Sequence, residues 1–356
     1  MILVVDVKAN KIKLSLISPG NEKSEIALDL DECMGRGVLK KTVYGLAKRK
    51  KIRAIAFRTV FGGKTFSGPV KVNARFFDKF MNLTRAFPFY VPRMKMLIEE
   101  FYNSFTKIPL FVFFETAFFS KLPVEEKYYA ISFELSKYYN LSRHGFHGLY
   151  HGFNAELAGR NDKVVSIVFD KQTTVAALNK GRPYSISLGY TPLEGIMSNT
   201  SCGDLDPGIV FYLMKSHGMS IYSIDDTLKN ESGFKGVTGY DLDKTKLMSL
   251  YGLDKKVDLA FEIYKNQIIK YMGEAVAVLK GLDKIIISGE ETKALMPFIL
   301  KLLKDISFLG VNLKCLPFAD FDQSMELTSD NSDIAVKINN KPLSEIIVLH
   351  TRKLLK

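Results

Sequence analysis

Tryptophan is absent from this sequence of 356 residues, and cysteine occurs only three times. The cysteines, Cys33, Cys202 and Cys315, lie far apart and form no CxxC pair, which argues against a zinc site or a disulfide framework. Long hydrophobic runs are also missing, since the longest apolar stretches fall well short of the roughly 20 residues that span a bilayer. The first residues contain neither a basic lead nor a small-residue cleavage site. We therefore expect reduced thiols, a cytoplasmic location and no membrane span.

Acidic residues are in the minority, and the formal net charge is +12. The lysines are scattered, and only the run AKRKKIR at 47–53 is dense, which is typical of a solvated helix end. No recognisable nucleic-acid-reading helix or interleaved aromatic pattern accompanies the charge. We therefore do not expect nucleic acid as a partner, and the positive charge also suits a small anionic substrate.

The first part of the chain alternates strand and helix patterns. With 47% hydrophobic residues and this length, the chain can bury large cores in about two domains. A polar turn at Lys8, Ala9 and Asn10 separates the first two strands. Strands are predicted at 2–7, 11–18, 24–30, 53–60 and 109–115, and a helix with Pro92 at its start is predicted at 92–105. The alternation predicts an α/β fold.

A second half begins near residue 141 and repeats this order of elements. Strands are predicted at 164–170, 174–181 and 284–288, and the clearest helix at 257–281. This order fits a duplicated α/β unit with a cleft between the copies. We expect domains at 1–140 and 141–334, with 335–356 as a candidate segment that completes the first domain.

Five motifs then point to one family. In chain order they are RTVFGG (58–63), FFETAFF (113–119), RHGFHGLYH (143–151), YTPLEGIMSNTSCGDLDPG (190–208) and SGFKGVTG (232–239). Their order and spacing resemble the acetate and butyrate kinases of the acetokinase family. The resemblance implies two ribonuclease H-like domains of the sugar kinase, Hsp70 and actin superfamily with an interdomain cleft. It also implies a homodimer that transfers phosphate between ATP and a short-chain carboxylate, such as acetate, with magnesium.

The resemblance assigns catalytic roles to Arg58, Glu115 and His147. Arg58 matches the arginine that grips the carboxylate or the transferring phosphoryl group, and a guanidinium suits this because it donates two parallel hydrogen bonds. His147 matches a histidine that hydrogen-bonds the phosphoryl group, although it could equally cap a helix. Glu115 stands where the family has an aspartate, so its carboxylate is displaced by one methylene; a salt-bridged structural acid is the alternative.

Metal binding is assigned to Asp6 and, on weaker flanking similarity, to Glu326. Asp6 stands where the family has an asparagine near the metal, and magnesium prefers oxygen ligands. The family glycine and serines that follow are replaced by Lys8, Ala9, Asn10 and Lys11, so the close backbone approach to phosphate is lost.

Other departures affect the positions that resemble nucleotide and phosphoryl contacts. The family hairpin GNGAS is replaced by Asp170 to Thr174, which removes both glycines and adds an acid, while Ser201 replaces a second arginine. Lys171 is the candidate replacement cation. Gly203 and Gly289 are retained and are assigned to nucleotide binding, but Glu290 and Glu291 follow Gly289. These acids also fit the first turn of a helix.

Two hypotheses of different classes stay open at this point. The first is an active acyl-phosphate kinase, and the second is a catalytically degenerate homologue that serves as a binding or dimerisation module. Asp204 and Asp206 could suggest a metal site, but acids before a Pro-Gly turn favour local bonds to the backbone.

Overall fold

The computed structural model describes residues 1–8, 11–29, 38–85, 90–314 and 324–356, which form two compact units. The first unit contains Met1–Ser120 and Pro342–Lys356, and the second contains Lys121–Lys341. The limits expected from the sequence were 140/141 and 334/335. The predicted turn residues Ala9 and Asn10, and the cysteines Cys33 and Cys315, lie outside the described residues.

The first unit is built on a six-stranded sheet. Its strands are β1 (Ile2–Lys8), β2 (Lys11–Ile17), β3 (Lys23–Asp29), β4 (Ala54–Thr59), β5 (Val70–Lys71) and β6 (Leu110–Phe114). They lie in the order β3-β2-β1-β4-β6-β5, and β4 runs parallel to both of its neighbours. Every residue of β4 is buried, as expected for a central parallel strand. The five strands predicted for this half are confirmed.

Helices of the first unit pack on this sheet. They are α1 (Val38–Arg49), α2 (Ala74–Met81), α3 (Tyr90–Ser104) and a C-terminal helix (Leu343–Leu354). The helix predicted from Pro92 onward is confirmed as α3, and the dense basic run does lie where α1 ends. The C-terminal helix buries Leu343, Ile346 and Ile347 and packs against β1 and β4.

The second unit has its own six-stranded sheet with the same topology. Its strands are β7 (Lys163–Val168), β8 (Thr174–Asn179), β9 (Arg182–Ile186), β10 (Lys284–Ser288), β11 (Ser324–Glu326) and β12 (Ala335–Asn339). The order β11-β12-β10-β7-β8-β9, read from its other edge, matches the first sheet strand for strand. In both sheets a three-stranded antiparallel meander is followed by two parallel strands and an antiparallel edge strand. The expected duplication is therefore confirmed in the topology.

Helices of the second unit include the clearest one expected from the sequence. They are α4 (Val124–Lys127), α5 (Phe133–Tyr139), α6 (Gly148–Leu157), α7 (Pro207–His217), α8 (Ile221–Asn230), α9 (Gly233–Thr238), α10 (Lys244–Leu247), α11 (Lys255–Leu279) and α12 (Met296–Asp305). The helix predicted at 257–281 is α11, which packs against β8 and β9. No helix in the described ranges combines the length and apolarity needed to cross a bilayer.

The alternative that Glu290 and Glu291 lie in the first turn of a helix is wrong. Turns continue through residue 295 after β10, and α12 begins at Met296 with Pro297 in its first turn. Gly289 has φ of +117°, a left-handed conformation that ends the strand without starting a helix.

Candidate active site

Arg58 lies near the C-terminal end of β4, where the parallel register places it beside Asp6 of β1. Its side chain is buried, and its Nη1 donates to Asp6 Oδ1 at 2.9 Å. On the other side of β4, Glu115 follows β6, and its Oε1 accepts from Arg58 Nε at 2.5 Å. The sheet of the first unit therefore brings together three side chains that the sequence had assigned separately.

The charges of this cluster fix the state of Arg58. Burial alone would lower the pKa of Arg58, but the carboxylates of Glu115 and Asp6 offset it, so the pKa is raised well above its usual value. The guanidinium therefore stays charged at every physiological pH. Its Nη2 makes no hydrogen bond within the described part of the chain, so this nitrogen can donate to an anionic ligand.

The Gly62-Gly63 turn after β4 has a steric reason for its glycines. A Cβ at Gly62 would lie 2.9 Å from the carbonyl oxygen of Phe66, and Gly63 has φ of +55°. The N–H of Gly62 donates to Thr116 Oγ1 at 3.0 Å. The turn thus ties the end of β4 to the residue that follows Glu115.

His147 lies in the second unit, where it is the residue before α6. Its backbone φ of +58° is unusual for a residue other than glycine, and its imidazole is buried. Its Nδ1 lies 3.0 Å from Thr174 Oγ1, and its Nε2 lies 3.8 Å from Asp170 Oδ2. One turn along α6, His151 also contacts Thr174 Oγ1, at 2.9 Å. Burial and then the neighbouring His147 lower the pKa of His151 well below 6.5, so His151 is neutral.

Lys244 is a charged residue of this region that sequence reasoning missed. Its side chain is 0% exposed. Its Nζ donates to the carbonyl oxygens of Asp170 and Lys171 at 2.8 and 3.1 Å, and it lies 2.5 Å from Glu291 Oε2. Burial lowers the pKa of Lys244 and raises that of Glu291. The lysine therefore joins the turn between β7 and β8 to the turn after β10, and no local sequence signal marks it.

Comparison with known proteins shows which family the chain belongs to. The model of the acetokinase family matches residues 7–349. An acetate kinase 2 of Vibrio vulnificus strain YJ016 is 31% identical over 301 residues, covering 81% of this chain and 75% of that protein. The chain belongs to the acetokinase family.

Solved structures support the acetokinase fold. Porphyromonas gingivalis acetate kinase superposes with a TM-score of 0.88 at 22% identity, covering 100% of this chain and 99% of that one. A propionate kinase from Francisella tularensis subsp. tularensis SCHU S4 gives 0.86 at 23% identity, with 97% of each chain covered. The predicted α/β fold, with one mixed sheet in each of two units, is confirmed.

Several acetokinase motif residues hold the motifs to one another. Arg143 Nη1 lies 2.7 Å from Glu194 Oε1, which connects the RHGFHG and TPLEG segments. Asp204 Oδ1 accepts from the N–H of Gly195 at 2.7 Å, and Asp206 caps α7 by accepting from Gly208. The expected local bond to the backbone is confirmed for Asp206, whereas Asp204 bonds groups distant in sequence and also accepts from the hydroxyl of Tyr271 at 2.6 Å. Within the described ranges no group of three or more His, Cys, Asp or Glu side chains is arranged to hold a metal.

The position of the second family arginine carries no charge in this chain. Ser201 Oγ lies 2.7 Å from Ser198 Oγ and donates to Gln172 Oε1 at 3.4 Å. Asp170 Oδ1 accepts from the N–H of Lys171 at 2.8 Å, so this turn uses one of its N–H groups internally. The side chain of Lys171 is exposed and makes no hydrogen bond or ion pair within the described ranges. Its assignment to cofactor binding stays a prediction.

Gly203 and Gly289 are required by the packing of the chain on itself. A Cβ at Gly203 would lie 2.5 Å from the carbonyl oxygen of Gly195, and one at Gly289 would lie 2.1 Å from that of Phe169. These contacts explain why both positions require glycine even when no nucleotide is bound. The nucleotide-binding role of Gly203 and Gly289 stays a prediction.

The two predicted metal ligands differ in how well they fit magnesium. Asp6 uses Oδ1 for Arg58, while Oδ2 makes no hydrogen bond within the described ranges, so it fits as a single carboxylate ligand. Magnesium typically takes one or two carboxylates and keeps several waters. Glu326 lies on β11 with its carboxylate 3.5 Å from Lys337 Nζ, in a pair that is largely exposed. Its fit is weaker because a cation already neutralises it.

Proposed function

We propose that this member of the acetokinase family transfers a phosphoryl group between ATP and a short-chain carboxylate, as in the conversion of acetate to acetyl phosphate. Family membership and relatives named acetate kinase and propionate kinase support the reaction class. The observation that carries the proposal is the buried guanidinium of Arg58, held from both sides by Asp6 and Glu115 and with Nη2 open to an anion. We place this reaction in the cytosol.

Positioning and charge stabilisation supply most of the rate in phosphoryl transfer. In our proposal Arg58 binds the carboxylate or the transferring phosphoryl group through Nη2, while Glu115 and Asp6 fix its plane. His147 donates a hydrogen bond to the phosphoryl oxygens. Magnesium, held in part by Asp6, would neutralise charge on the nucleotide phosphates when bound with ATP. Because Ser201 supplies no cation, we expect a rate about 10²- to 10³-fold below that of a relative with arginine there.

The direct test is an acyl phosphate assay. Purified protein is mixed with ATP, magnesium and acetate, propionate or butyrate, and acyl phosphate is trapped as its hydroxamate. We expect product with at least one of the three acids. No product with any of them, at a sensitivity that covers the expected slow rate, would refute the kinase proposal and favour a binding or dimerisation module.

ATP binding is tested separately by thermal unfolding. At 100 times its dissociation constant, magnesium-ATP should raise the free energy of unfolding by about 2.7 kcal/mol. Removing magnesium with EDTA should abolish most of the shift, since bound magnesium would offset the repulsion between the phosphates and the carboxylate of Asp170. GTP and AMP serve as comparison ligands. An unchanged melting temperature at millimolar magnesium-ATP would contradict the proposed cofactor.

We also propose a homodimer formed through α7 and α8. α7 has no buried residue, and its Phe211 is 58% exposed, while Tyr222 of α8 is 84% exposed. Large exposed apolar patches commonly mark protein interfaces. The apolar side chains that these helices expose are Ile209, Phe211, Tyr212, Met214, Ile221 and Tyr222.

Light scattering after size exclusion tests the dimer. The native protein should elute at twice its chain mass, and Phe211→Asp combined with Tyr222→Asp should convert it to a monomer. Phe308→Asp is the matched control, because Phe308 is 78% exposed but lies outside α7 and α8. A monomeric native protein at micromolar concentration would rule out this assembly.

A further inference from the structure

A continuous chain of buried polar side chains leads from β12 to His147. We call it the relay, and it consists of Asn339, Asn154, Ser166, His151, Thr174 and His147. All six side chains are buried. Successive heavy-atom distances along the relay are 3.1, 2.9, 2.7, 2.9 and 3.0 Å. Such chains have a direction, because each hydroxyl has only one hydrogen to donate.

The direction is set at the β12 end by a backbone group. The N–H of Lys341, which can only donate, bonds Asn339 Oδ1 at 3.2 Å. This fixes the Asn339 amide, whose Nδ2 donates to Asn154 Oδ1. The Asn154 amide is fixed in turn, and its Nδ2 donates to Ser166 Oγ. Ser166 Oγ is therefore an acceptor toward Asn154.

The donor and acceptor roles of Ser166 determine those of the two histidines. Within the described ranges His151 Nδ1, at 2.7 Å, is the one acceptor within reach of the Ser166 hydroxyl hydrogen. His151 is neutral, so with Nδ1 accepting, its proton lies on Nε2 and is donated to Thr174 Oγ1. The single hydrogen of Thr174 is then left for His147 Nδ1.

We infer that the relay holds His147 as the neutral tautomer protonated on Nε2, with Ser166, His151 and Thr174 as positioning residues. This inference deepens the proposed function, on which it rests, because it makes Nε2 a hydrogen-bond donor to the phosphoryl group without adding a charge. A protonated His147 would have to donate from Nδ1 to Thr174. Every bond as far as Ser166 would then reverse, and the Ser166 hydroxyl would lose its acceptor within the described ranges.

The groups that face His147 have opposing effects on the protonation state of its imidazole ring. The Asp170 carboxylate, 3.8 Å from Nε2, favours the imidazolium, whereas the neutral His151 and the hydroxyl of Thr174 favour the neutral ring. The relay therefore lets an acid lie beside His147 without protonating it. In phosphoryl transfer this keeps a proton on Nε2, the ring nitrogen that would donate to the phosphoryl group.

Long-range proton–nitrogen NMR of protein labelled with nitrogen-15 in its five histidines tests the inference directly. The spectrum shows which ring nitrogen carries the proton, and His147→Asn assigns its signals by their loss. In the native protein at pH 7 we expect both His147 and His151 to be protonated on Nε2 alone. A proton on Nδ1 of His147, or an imidazolium, overturns the inference.

Variants separate the relay from general packing. Thr174→Val keeps the shape but removes the hydroxyl, so His147 should become a mixture of tautomers or an imidazolium stabilised by Asp170, while Thr174→Ser should keep the native state. Ser288→Ala is the matched control, because Ser288 also accepts from Asn154 Nδ2, at 2.9 Å, but donates nothing along the relay. A native His147 spectrum in Thr174→Val would overturn the relay. The measurement needs no turnover, so it is separable from failure of the kinase assay.

Discussion

Arg58→Ala is expected to lower kcat/KM for the carboxylate by at least about 10²- to 10³-fold, the usual effect of removing one preorganised charge donor. Arg58 is the charged donor that β4 holds rigidly, and its plane is fixed by Asp6 and Glu115. The hydroxamate assay measures the loss, and circular dichroism shows that the variant is folded. This second measurement matters because the alanine leaves the fully buried Glu115 without its cation.

Two comparisons sharpen the Arg58 experiment. Arg58→Lys keeps the charge but loses the fork of donors, so a large loss of rate is still expected. Arg53→Ala, an exposed arginine just before β4, should leave the rate unchanged. If folded Arg58→Ala retained native activity, the assignment of this cluster to the substrate would be wrong.

Lys244→Met is expected to destabilise the second unit by about 3–5 kcal/mol, the typical cost of breaking a buried ion pair by removing one partner. The methionine fills the volume, but Glu291 and the carbonyl oxygens of Asp170 and Lys171 lose their cation. Urea denaturation measures the free energy of unfolding of the variant and of the native protein. The ammonium group of Lys244 joins the turn between β7 and β8 to the turn after β10. The loss of stability should therefore affect the unfolding of the whole second unit.

Lys246→Met is the matched control, since Lys246 lies on the same short helix α10 but is exposed; its change should stay within about 0.5 kcal/mol. Lys244→Met with Glu291→Gln should recover part of the loss, because no buried charge is then left alone. A loss below about 1 kcal/mol in Lys244→Met would show that the ion pair contributes little to stability.

The sequence predicted most of the fold because the core strands and α11 are long and strongly patterned. Asp6, Arg58 and Glu115 were identified one by one from motifs, yet only strand register shows that they touch. Lys244 could not be found, since a lysine in a four-residue helix looks like any solvated lysine. The alternative of a helix starting around Glu290 and Glu291 was wrong, and Glu291 instead pairs with Lys244, 47 residues earlier in the sequence.

The relay could not be predicted from the sequence either. Asn154 and Asn339 are 185 residues apart, and their bond depends on where β12 places its last residue. Hydrogen-bond direction is a property of the whole chain of groups, so no local pattern could reveal it. By contrast, His147 could be assigned from the sequence because its motif is specific, and its catalytic role stays a prediction.

The C-terminal helix has a consequence for how the protein is made on the ribosome. The second unit is one continuous segment, whereas the first needs residues from both ends of the chain. During synthesis, β1 and β4 emerge early, but the helix that covers them with Leu343, Ile346 and Ile347 is translated after the whole second unit. The nascent chain must therefore carry an uncovered apolar face on β1 and β4 until residues 343–354 have been translated.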